Sequence, residues 1–367
     1  MIINRGIHCS IALLISAALA HASEPVQPVT NLLNDPAALE AFVDHLVTNR
    51  MQDAHIPGAV VTIVKDDKVL LNKGYGFADL AQHTAVDPDK TLFRIASVSK
   101  VFNAMTIMRL ADAGLLDVNE DVRPRLAAAG LELDSPERGP ITLKALLTHS
   151  AGIRDLDVPG VTSTTNLENV LRLGPYLQKC LPLRWQNSGE TMLYTDHGIS
   201  LAGYVAELAS KTRFDEIARQ QVLLPLGMNH TFYNVPEAQQ TNLAVAYSYA
   251  DTGYKPIPAF YCSVTPAVGV LTTGGDMARL MICHLSGCKD YLKPQTVKLM
   301  HEPQFAEDAR LGLQCTCGFF YLTPPRVGGS LPVPFRWLGR VWKLRKPLHE
   351  SRHRSFRGQK RGWMAAV

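Results

Sequence analysis

Ser97 and Lys100 stand three residues apart, at the point where an apolar helix pattern begins. On a helix, residues i and i+3 share a face, so the Lys100 amine is placed to accept the proton of the Ser97 hydroxyl. A serine is a poor nucleophile near neutral pH unless an adjacent base activates it. The N–H groups and positive dipole of a helix start favour a deprotonated neighbour and can hold an oxyanion. The pair predicts attack of Ser97 on a carbonyl carbon, but Ser-x-x-Lys also occurs by chance, so its surroundings must support this interpretation.

The elements before and around this pair follow from hydrophobic periodicity. The spacing predicts a helix over 36–50 and a hairpin of strands 59–64 and 69–77 joined by a polar turn. The helix that begins near Ser97 carries an apolar stripe and ends at Gly114, which indicates a buried element.

The middle of the chain is predicted to be mainly helical. A charged, proline-containing loop with short helical pieces spans 117–140, and a short helix over 142–147 ends in Thr148-His149-Ser150. The segment 155–182 has no clear period and is predicted to be a loop over a cleft. Two further helices are predicted over 197–211 and 213–222.

The length and the first residues suggest an exported, enzyme-sized protein. The chain has 367 residues, 46% of them hydrophobic, which is enough for one large core or two smaller ones. Residues 1–22 fit a signal peptide, with Arg5, an apolar run over 11–20 and a small-x-small ending at Ala22. We therefore expect a periplasmic or secreted protein without a transmembrane segment after cleavage. The alternative of a membrane anchor is less favoured because the run is shorter than the roughly 20 apolar residues that span a bilayer.

The cysteines leave two possibilities open. Six of the seven follow the predicted cleavage site, and an even number in an exported protein permits disulfides without dictating their pairing. The segment Cys283-His284 to Cys288 could suggest a metal site. A structural role is favoured because a helical apolar pattern includes Cys283 and His284, and no second Cys/His pair lies at zinc spacing. No metal or organic cofactor is expected.

Five ordered segments resemble serine β-lactamase-related hydrolases of the class C and penicillin-binding-protein type. This family includes β-lactamases, D-alanyl-D-alanine carboxypeptidases and esterases, and Ser-x-x-Lys is a known signature of such enzymes. The segments cover roughly residues 40 to 285 and are 57–60, 93–116, 141–153, 189–231 and 266–280. The resemblance implies an α+β fold of the β-lactamase/transpeptidase type, an antiparallel sheet flanked by helices with an adjoining all-helical domain. On this basis we predict a hydrolase domain over 23–323 with a helical subdomain over roughly 105–265.

The resemblance also assigns roles near the nucleophile. Tyr194-Thr195-Asp196 occupies the position of the family's Tyr-x-Asn motif, which gives Tyr194 the role of moving protons between serine and leaving group. Asp196 would contribute to substrate binding, but a carboxylate there only accepts hydrogen bonds. It would keep Lys100 protonated, shift the base role to Tyr194, and favour ester or peptide substrates. His149 invites a catalytic interpretation, although a hydrogen-bonding role at a helix end is favoured.

The C-terminal part departs from the family. No Lys-Thr-Gly or His-x-Gly triplet follows residue 285, and His353-Arg354-Ser355 is the nearest substitute. We therefore predict that the family's C-terminal strands are missing. Eleven of the 37 Lys and Arg, but one of the 33 Asp and Glu, lie between Arg326 and Arg361. Two alternatives remain for the tail 324–367: a basic arm for anionic surfaces, or residues read in an altered frame, which is favoured because it explains all these departures together.

These observations predict a serine hydrolase that forms an acyl-enzyme on ester, peptide or β-lactam carbonyls. The expected partner is a small-molecule or peptide substrate and not a nucleic acid, and the oligomeric state stays open. Two alternatives from other classes remain. One is an inactive or truncated pseudo-hydrolase scaffold, since the strand that supplies the second oxyanion donor is lacking. The other is a surface-associating protein that binds through its basic tail.

Overall fold

The computed structural model describes residues 33–133, 136–250, 253–306, 313–318 and 320–322. The predicted signal peptide, the tail 324–367 and the triplet His353-Arg354-Ser355 lie outside these ranges. Within them, no helix combines the length and the apolar character that crossing a membrane requires.

Helices dominate the described ranges. They are α1 (Pro36–Ala54), α2 (Ser99–Asp112), α3 (Arg123–Ala127), α4 (Leu143–Leu147), α5 (Leu173–Lys179), α6 (Asp196–Ser210), α7 (Phe214–Ala218), α8 (Thr265–Val268), α9 (Gly274–Leu285) and α10 (Pro294–His301). The strands are β1 (Gly58–Lys65), β2 (Lys68–Asp79), β3 (Thr84–Ala85), β4 (Phe93–Arg94), β5 (Ser163–Thr164), β6 (Tyr247–Ala250), β7 (Gly253–Pro256), β8 (Tyr261–Cys262), β9 (Leu271–Thr272), β10 (Phe305–Ala306), β11 (Leu313–Cys315) and β12 (Phe320–Leu322). Where these strands pair with one another, they run antiparallel.

The N-terminal part is an antiparallel sheet covered by helices. Asp35 caps α1, because its carboxylate accepts hydrogen bonds from the N–H groups of Ala37 and Ala38, both at 3.1 Å. The sheet has the order β1-β2-β3, with α1 packed on β2 and α9 packed on β1 and β2. The predicted helix and hairpin are confirmed, and both extend by a few residues because caps and turns, not periodicity, set their ends.

Helix α2 lies in the centre of the main hydrophobic core. Almost every residue of this helix is buried, including Phe102, Met105 and Met108, which have no exposed surface. It packs against α6 and α8, and α6 in turn packs against α4 and α5. The predicted apolar stripe is therefore core, and the residues just before α2 are anchored to the best-packed part of the molecule.

The segment 155–182 is more ordered than its sequence indicates. It contains β5, which pairs with β8, and the helix α5, whereas we expected an aperiodic loop. Gly174 and Pro175 weaken the helical pattern, but tertiary packing overrides propensity here, since Tyr176 and Leu177 are fully buried. Gly174 leaves room for the Tyr204 side chain, because a Cβ atom there would lie 3.0 Å from the Tyr204 hydroxyl oxygen.

The last described residues form a small sheet in the order β10-β11-β12. Phe305 pairs with Cys315, and Cys315 pairs with Phe320. The strand β12 occupies Phe320–Leu322. Among the described residues, these strands pair with each other and not with the N-terminal sheet.

Two glycines with the same backbone conformation allow a matched stability test. Gly152 has φ 72° and Gly114 has φ 75°, but a Cβ on Gly152 would penetrate the carbonyl oxygen of Gln186, whereas a Cβ on Gly114 meets no atom within 4 Å. Gly114→Ala should lower the free energy of unfolding by about 1 kcal/mol through the left-handed conformation alone. Gly152→Ala should lower it by about 3 kcal/mol or more. Urea titrations of both variants measure the difference, and equal losses would contradict the predicted clash.

Candidate active site

Ser97 lies in a short 3-10 turn, Ala96–Val98, between β4 and α2. The sequence predicts it at the start of the helix itself. Lys100 follows in the first turn of α2, and its Nζ atom lies 3.1 Å from the Ser97 Oγ atom. Ala96 adopts φ 46°, a left-handed conformation that costs a non-glycine residue about 1–2 kcal/mol. This strain at the residue before Ser97 persists because packing on both sides fixes the turn.

One residue on the opposite segment holds both ends of this turn. The Val270 carbonyl accepts a hydrogen bond from the N–H of Ile95 at 3.1 Å. The Val270 N–H donates to the Ser99 hydroxyl at 3.0 Å. Val270, Ile95 and Ser99 are all buried, so these bonds are shielded from water. They fix the position of the Ser97 backbone N–H, the atom that could hold an oxyanion.

The Lys100 ammonium is buried and has three acceptors. Its Nζ atom donates to Ser97 Oγ at 3.1 Å, to Asp196 Oδ1 at 2.6 Å and to the Ala267 carbonyl at 3.2 Å. Burial favours the neutral amine, but the interactions with Tyr194 and Asp196 outweigh it and raise the pKa of Lys100 above its usual value. Lys100 is thus an ammonium at neutral pH, as expected beside a carboxylate at 196, and donates to the serine instead of accepting from it.

Tyr194 covers the ammonium on the cleft side. The Lys100 Nζ atom lies 4.8 Å from the centre of the Tyr194 ring, within the range of a cation–π contact. The ring also stacks on His149, with the ring centres 4.5 Å apart and an angle of 26°. Tyr194 keeps 36% of its surface exposed. The phenol therefore borders both the buried charge and the space that a substrate would occupy.

His149 is a positioning residue. Its Nδ1 atom accepts a hydrogen bond from the Thr195 N–H at 3.1 Å, and its carbonyl accepts one from Leu193 N–H at 2.8 Å. Burial, together with the Lys100 charge, lowers the pKa of His149 to about 3, so its imidazole is neutral. The expectation that His149 makes hydrogen bonds at a helix end is confirmed. These bonds hold the residues on both sides of Tyr194.

Asp155, which the sequence reasoning missed, fixes the start of α6. One carboxylate oxygen, Oδ1, accepts from the Thr195 hydroxyl at 2.6 Å and from the N–H groups of Asp196 at 2.8 Å and His197 at 3.0 Å. Burial by itself would raise the pKa of Asp155, but the hydrogen bonds from His197 and Thr195 outweigh it and hold that pKa at about 2. The ionised carboxylate thus satisfies N–H groups at the N-terminus of α6 and orients Asp196.

A buried histidine extends this network. The Nδ1 atom of His197 lies 3.2 Å from Asp155 Oδ1, and its Nε2 atom lies 2.7 Å from the Tyr176 hydroxyl oxygen. His197 with Nδ1 protonated donates to Asp155 and accepts from Tyr176. No local signal marks this network in the sequence, since Asp155 and His197 are 42 positions apart.

The neutral state of His149 predicts a loss of stability in acid. The unfolded chain binds a proton at this histidine below pH 6.5, and the folded chain binds it only near pH 3, so folding becomes less favourable as pH falls between these values. The loss is about 1.4 kcal/mol per pH unit. When the pH falls from 7 to 5, the free energy of unfolding of the wild type should drop by about 2 kcal/mol more than that of His149→Gln. Urea titrations at both pH values measure this, and His45→Gln, on the exposed side of α1, should behave as the wild type does. An unchanged loss in His149→Gln would contradict the account.

Comparison with solved structures establishes the fold. An octameric penicillin-binding protein homologue from Pyrococcus abyssi aligns with a TM-score of 0.64 and 23% identity, over 78% of this chain and 65% of that chain. EstCE1, a hydrolase with promiscuous acyltransferase activity, aligns with a TM-score of 0.67 and 21% identity, over 80% of this chain and 83% of that chain. The predicted β-lactamase/transpeptidase-like fold class is therefore confirmed.

Curated relatives match a similar share of the chain. Protein flp of Staphylococcus aureus strain N315 is 29% identical over 252 residues, which is 68% of this chain and 49% of that protein. Beta-lactamase-like protein 4 of Dictyostelium discoideum is 27% identical over 299 residues, 74% of this chain and 51% of that protein. The chain spans about half the length of these relatives.

A protein-family model matches most of the chain. The Beta-lactamase family model aligns with residues 43–339. This range includes the nucleophile turn, the Tyr194 segment and the residues that join them. It extends past residue 323, where we predicted that the hydrolase domain ends. The chain belongs to the Beta-lactamase family, and the predicted resemblance is thereby confirmed.

Proposed function

We propose that this chain is a serine hydrolase that cleaves carboxylic esters through an acyl-enzyme at Ser97. The observation that carries the proposal is the placement of the Lys100 ammonium, 3.1 Å from Ser97 Oγ, 2.6 Å from Asp196 Oδ1 and 4.8 Å from the Tyr194 ring. Family membership supports a hydrolase, and one structural neighbour is itself a hydrolase with acyltransferase activity.

The site residues divide the proton and charge handling among them. Tyr194, as the phenolate, takes the proton of the Ser97 hydroxyl while Oγ attacks the carbonyl carbon. The Ser97 N–H stabilises the oxyanion that forms, and the Lys100 ammonium balances the negative charge on the serine–tyrosine pair. When the tetrahedral intermediate collapses, the bond to the leaving oxygen breaks and Tyr194 returns the proton to that oxygen. A water molecule then attacks the acyl-enzyme by the reverse sequence of proton transfers and releases the acid.

Asp196 supports esters over amides as substrates. A carboxylate accepts hydrogen bonds but donates none, so it holds Lys100 without offering an N–H to an amide carbonyl of the substrate. An ester also has a better leaving group than an amide and demands less protonation before the bond breaks. Peptides remain the second candidate class, because a protonated Tyr194 can supply the proton that a leaving amine needs.

Comparing three substrate classes tests the proposal. Initial rates are measured with a short acyl ester, a D-Ala-D-Ala peptide and a β-lactam, on the wild type and on Ser97→Ala. We expect the highest kcat/KM on the ester and a fall of at least a thousandfold in Ser97→Ala. A β-lactam turned over as well as the ester would contradict the substrate class. Turnover of none of the three substrates would instead favour a pseudo-hydrolase scaffold.

Replacing Asp196 by asparagine should change the pH profile in a defined direction. Burial lowers the pKa of Lys100, but Tyr194 and the Asp196 carboxylate together raise it above its usual value. Asp196→Asn removes one of these two opposing interactions, so the pKa of Lys100 falls and the activity that needs the ammonium is lost at a lower pH. We expect the alkaline limb of kcat/KM on the ester to shift down by about one pH unit or more. Asp157→Asn, a matched change at an exposed loop residue, is the control. An unshifted limb in Asp196→Asn would contradict the role of the ion pair.

A further inference from the structure

Arg94 lies on β4, three residues before Ser97, and no residue that the structure describes acts as a counter-ion for its guanidinium group. Its side chain stacks on Phe260, with the guanidinium carbon 5.1 Å from the ring centre. Among the described residues, no carboxylate forms an ion pair with Arg94 and no acceptor takes a hydrogen bond from its side chain. A guanidinium carries five N–H donors, so this side chain has unused donor capacity.

The environment of Arg94 makes that unused capacity costly. The residue is largely buried, and burial lowers the pKa of its guanidinium group below the usual value. The nearby titratable groups that act on it are the thiol of Cys262 and the phenol of Tyr261, and neither is a carboxylate. Arginine nonetheless stays protonated in proteins. A partly desolvated cation that lacks an anion is unfavourable, and an anionic ligand would relieve this cost.

The nitrogen atoms of Arg94 remain accessible. Other arginines of the described ranges, among them Arg109, Arg125 and Arg138, have an Nε atom that is sealed from solvent without a hydrogen-bond partner. None of the Arg94 nitrogens is sealed in this way. Its donors therefore keep some contact with solvent, whereas the guanidinium group stacks on the Phe260 ring.

The segment 260–267 connects Arg94 to the nucleophile. Phe260, at its first position, lies under Arg94, and the carbonyl of Ala267, at its last, accepts the 3.2 Å hydrogen bond from Lys100. Between them, Cys262 lies within electrostatic range of both Arg94 and Asp196: burial raises the pKa of its thiol to about 11, the Arg94 charge lowers it, and the Asp196 charge raises it. Arg94 thus borders the same wall of the site as the Lys100–Asp196 pair.

We propose that Arg94 is an anion-binding subsite that selects ester substrates with a carboxylate group. The planar guanidinium matches a carboxylate through two parallel N–H···O bonds, and Phe260 holds it in one orientation. This inference rests on the proposed ester hydrolysis at Ser97. It extends that proposal by specifying that the substrate carries a negative charge, a property that Ser97 and Tyr194 do not determine.

Three related esters and two variants test the subsite; the two charged esters are isomers, and the neutral one lacks their carboxyl group. Phenyl butyrate is neutral, phenyl hydrogen glutarate carries a carboxylate on the acyl part, and 3-carboxyphenyl butyrate carries one on the leaving group. The measured quantity is the ratio of kcat/KM on each charged ester to kcat/KM on the neutral ester. Arg94→Gln removes the charge, whereas Arg94→Lys keeps the charge but lacks the two parallel N–H donors of the guanidinium group. Arg219→Gln, at an exposed arginine paired with Glu216, controls for the change in net charge.

In the wild type, we expect one of the two charged esters to be preferred over the neutral one, which also tells whether the carboxylate belongs to the acyl part or the leaving group. Arg94→Gln should lower that ratio at least tenfold, mainly through KM, and Arg94→Lys should lower it less. Arg219→Gln should leave it unchanged. A ratio in Arg94→Gln within twofold of the wild type would overturn the inference while leaving ester hydrolysis intact.

A binding measurement separates this inference from the proposed function. In the Ser97→Ala background, which cannot form the acyl-enzyme, calorimetry gives the Kd of each intact ester. The additional Arg94→Gln change should raise the Kd of the preferred charged ester at least tenfold relative to that of phenyl butyrate. If hydrolysis is absent but this difference is found, the subsite stands and the proposed function fails. If no difference is found, Arg94 is not an anion-binding residue.

Discussion

The ion pair between the buried Lys100 and the half-buried Asp196 is the interaction on which the rest of the site depends. A buried ammonium is tolerated only if acceptors surround it, and its three partners come from the Ser97 turn, the start of α6 and the end of α8. Removing one partner of such a pair typically costs 3–5 kcal/mol, so the three elements must keep their relative positions. The ion pair therefore fixes the architecture of the site as well as its charge.

Two further groups hold the partners of that ion pair in place. Asp155 is ionised and binds the first N–H groups of α6, and His149 is neutral and supports Tyr194 from behind. Their environments determine their charges. Hydrogen-bond donors surround the Asp155 carboxylate and lower its pKa, whereas burial next to the Lys100 charge lowers the pKa of His149 and keeps its imidazole neutral. Ala96 and His149 both have left-handed backbones, so strain is stored on each side of the pocket. Such strain persists because the core around α2 is well packed.

The sequence predicted what depends on local pattern and missed what depends on distant contacts. The Ser97–Lys100 spacing, the N-terminal hairpin and the buried stripe of α2 all follow from periodicity, and the structure shows each of them. Asp155 carries no such signal, because its partners on α6 lie 40 or more positions away. Helix α5 was missed because its stability comes from packing on α6, which overrides its weak helical propensity. Arg94 lies within the segment that carries the family resemblance, but the sequence could not predict that no described residue pairs with it, because that depends on the folded structure.

The most direct test of the account is covalent labelling of the full chain with a fluorophosphonate, followed by intact-mass measurement and peptide mapping. The reagent reacts with a serine only where a proton acceptor and an oxyanion donor are already in place. The account predicts one adduct per folded chain, located on Ser97 and not on the neighbouring Ser99, and none in Ser97→Ala or after denaturation. Absence of an adduct on the folded wild type, or an adduct that persists in Ser97→Ala, would contradict it.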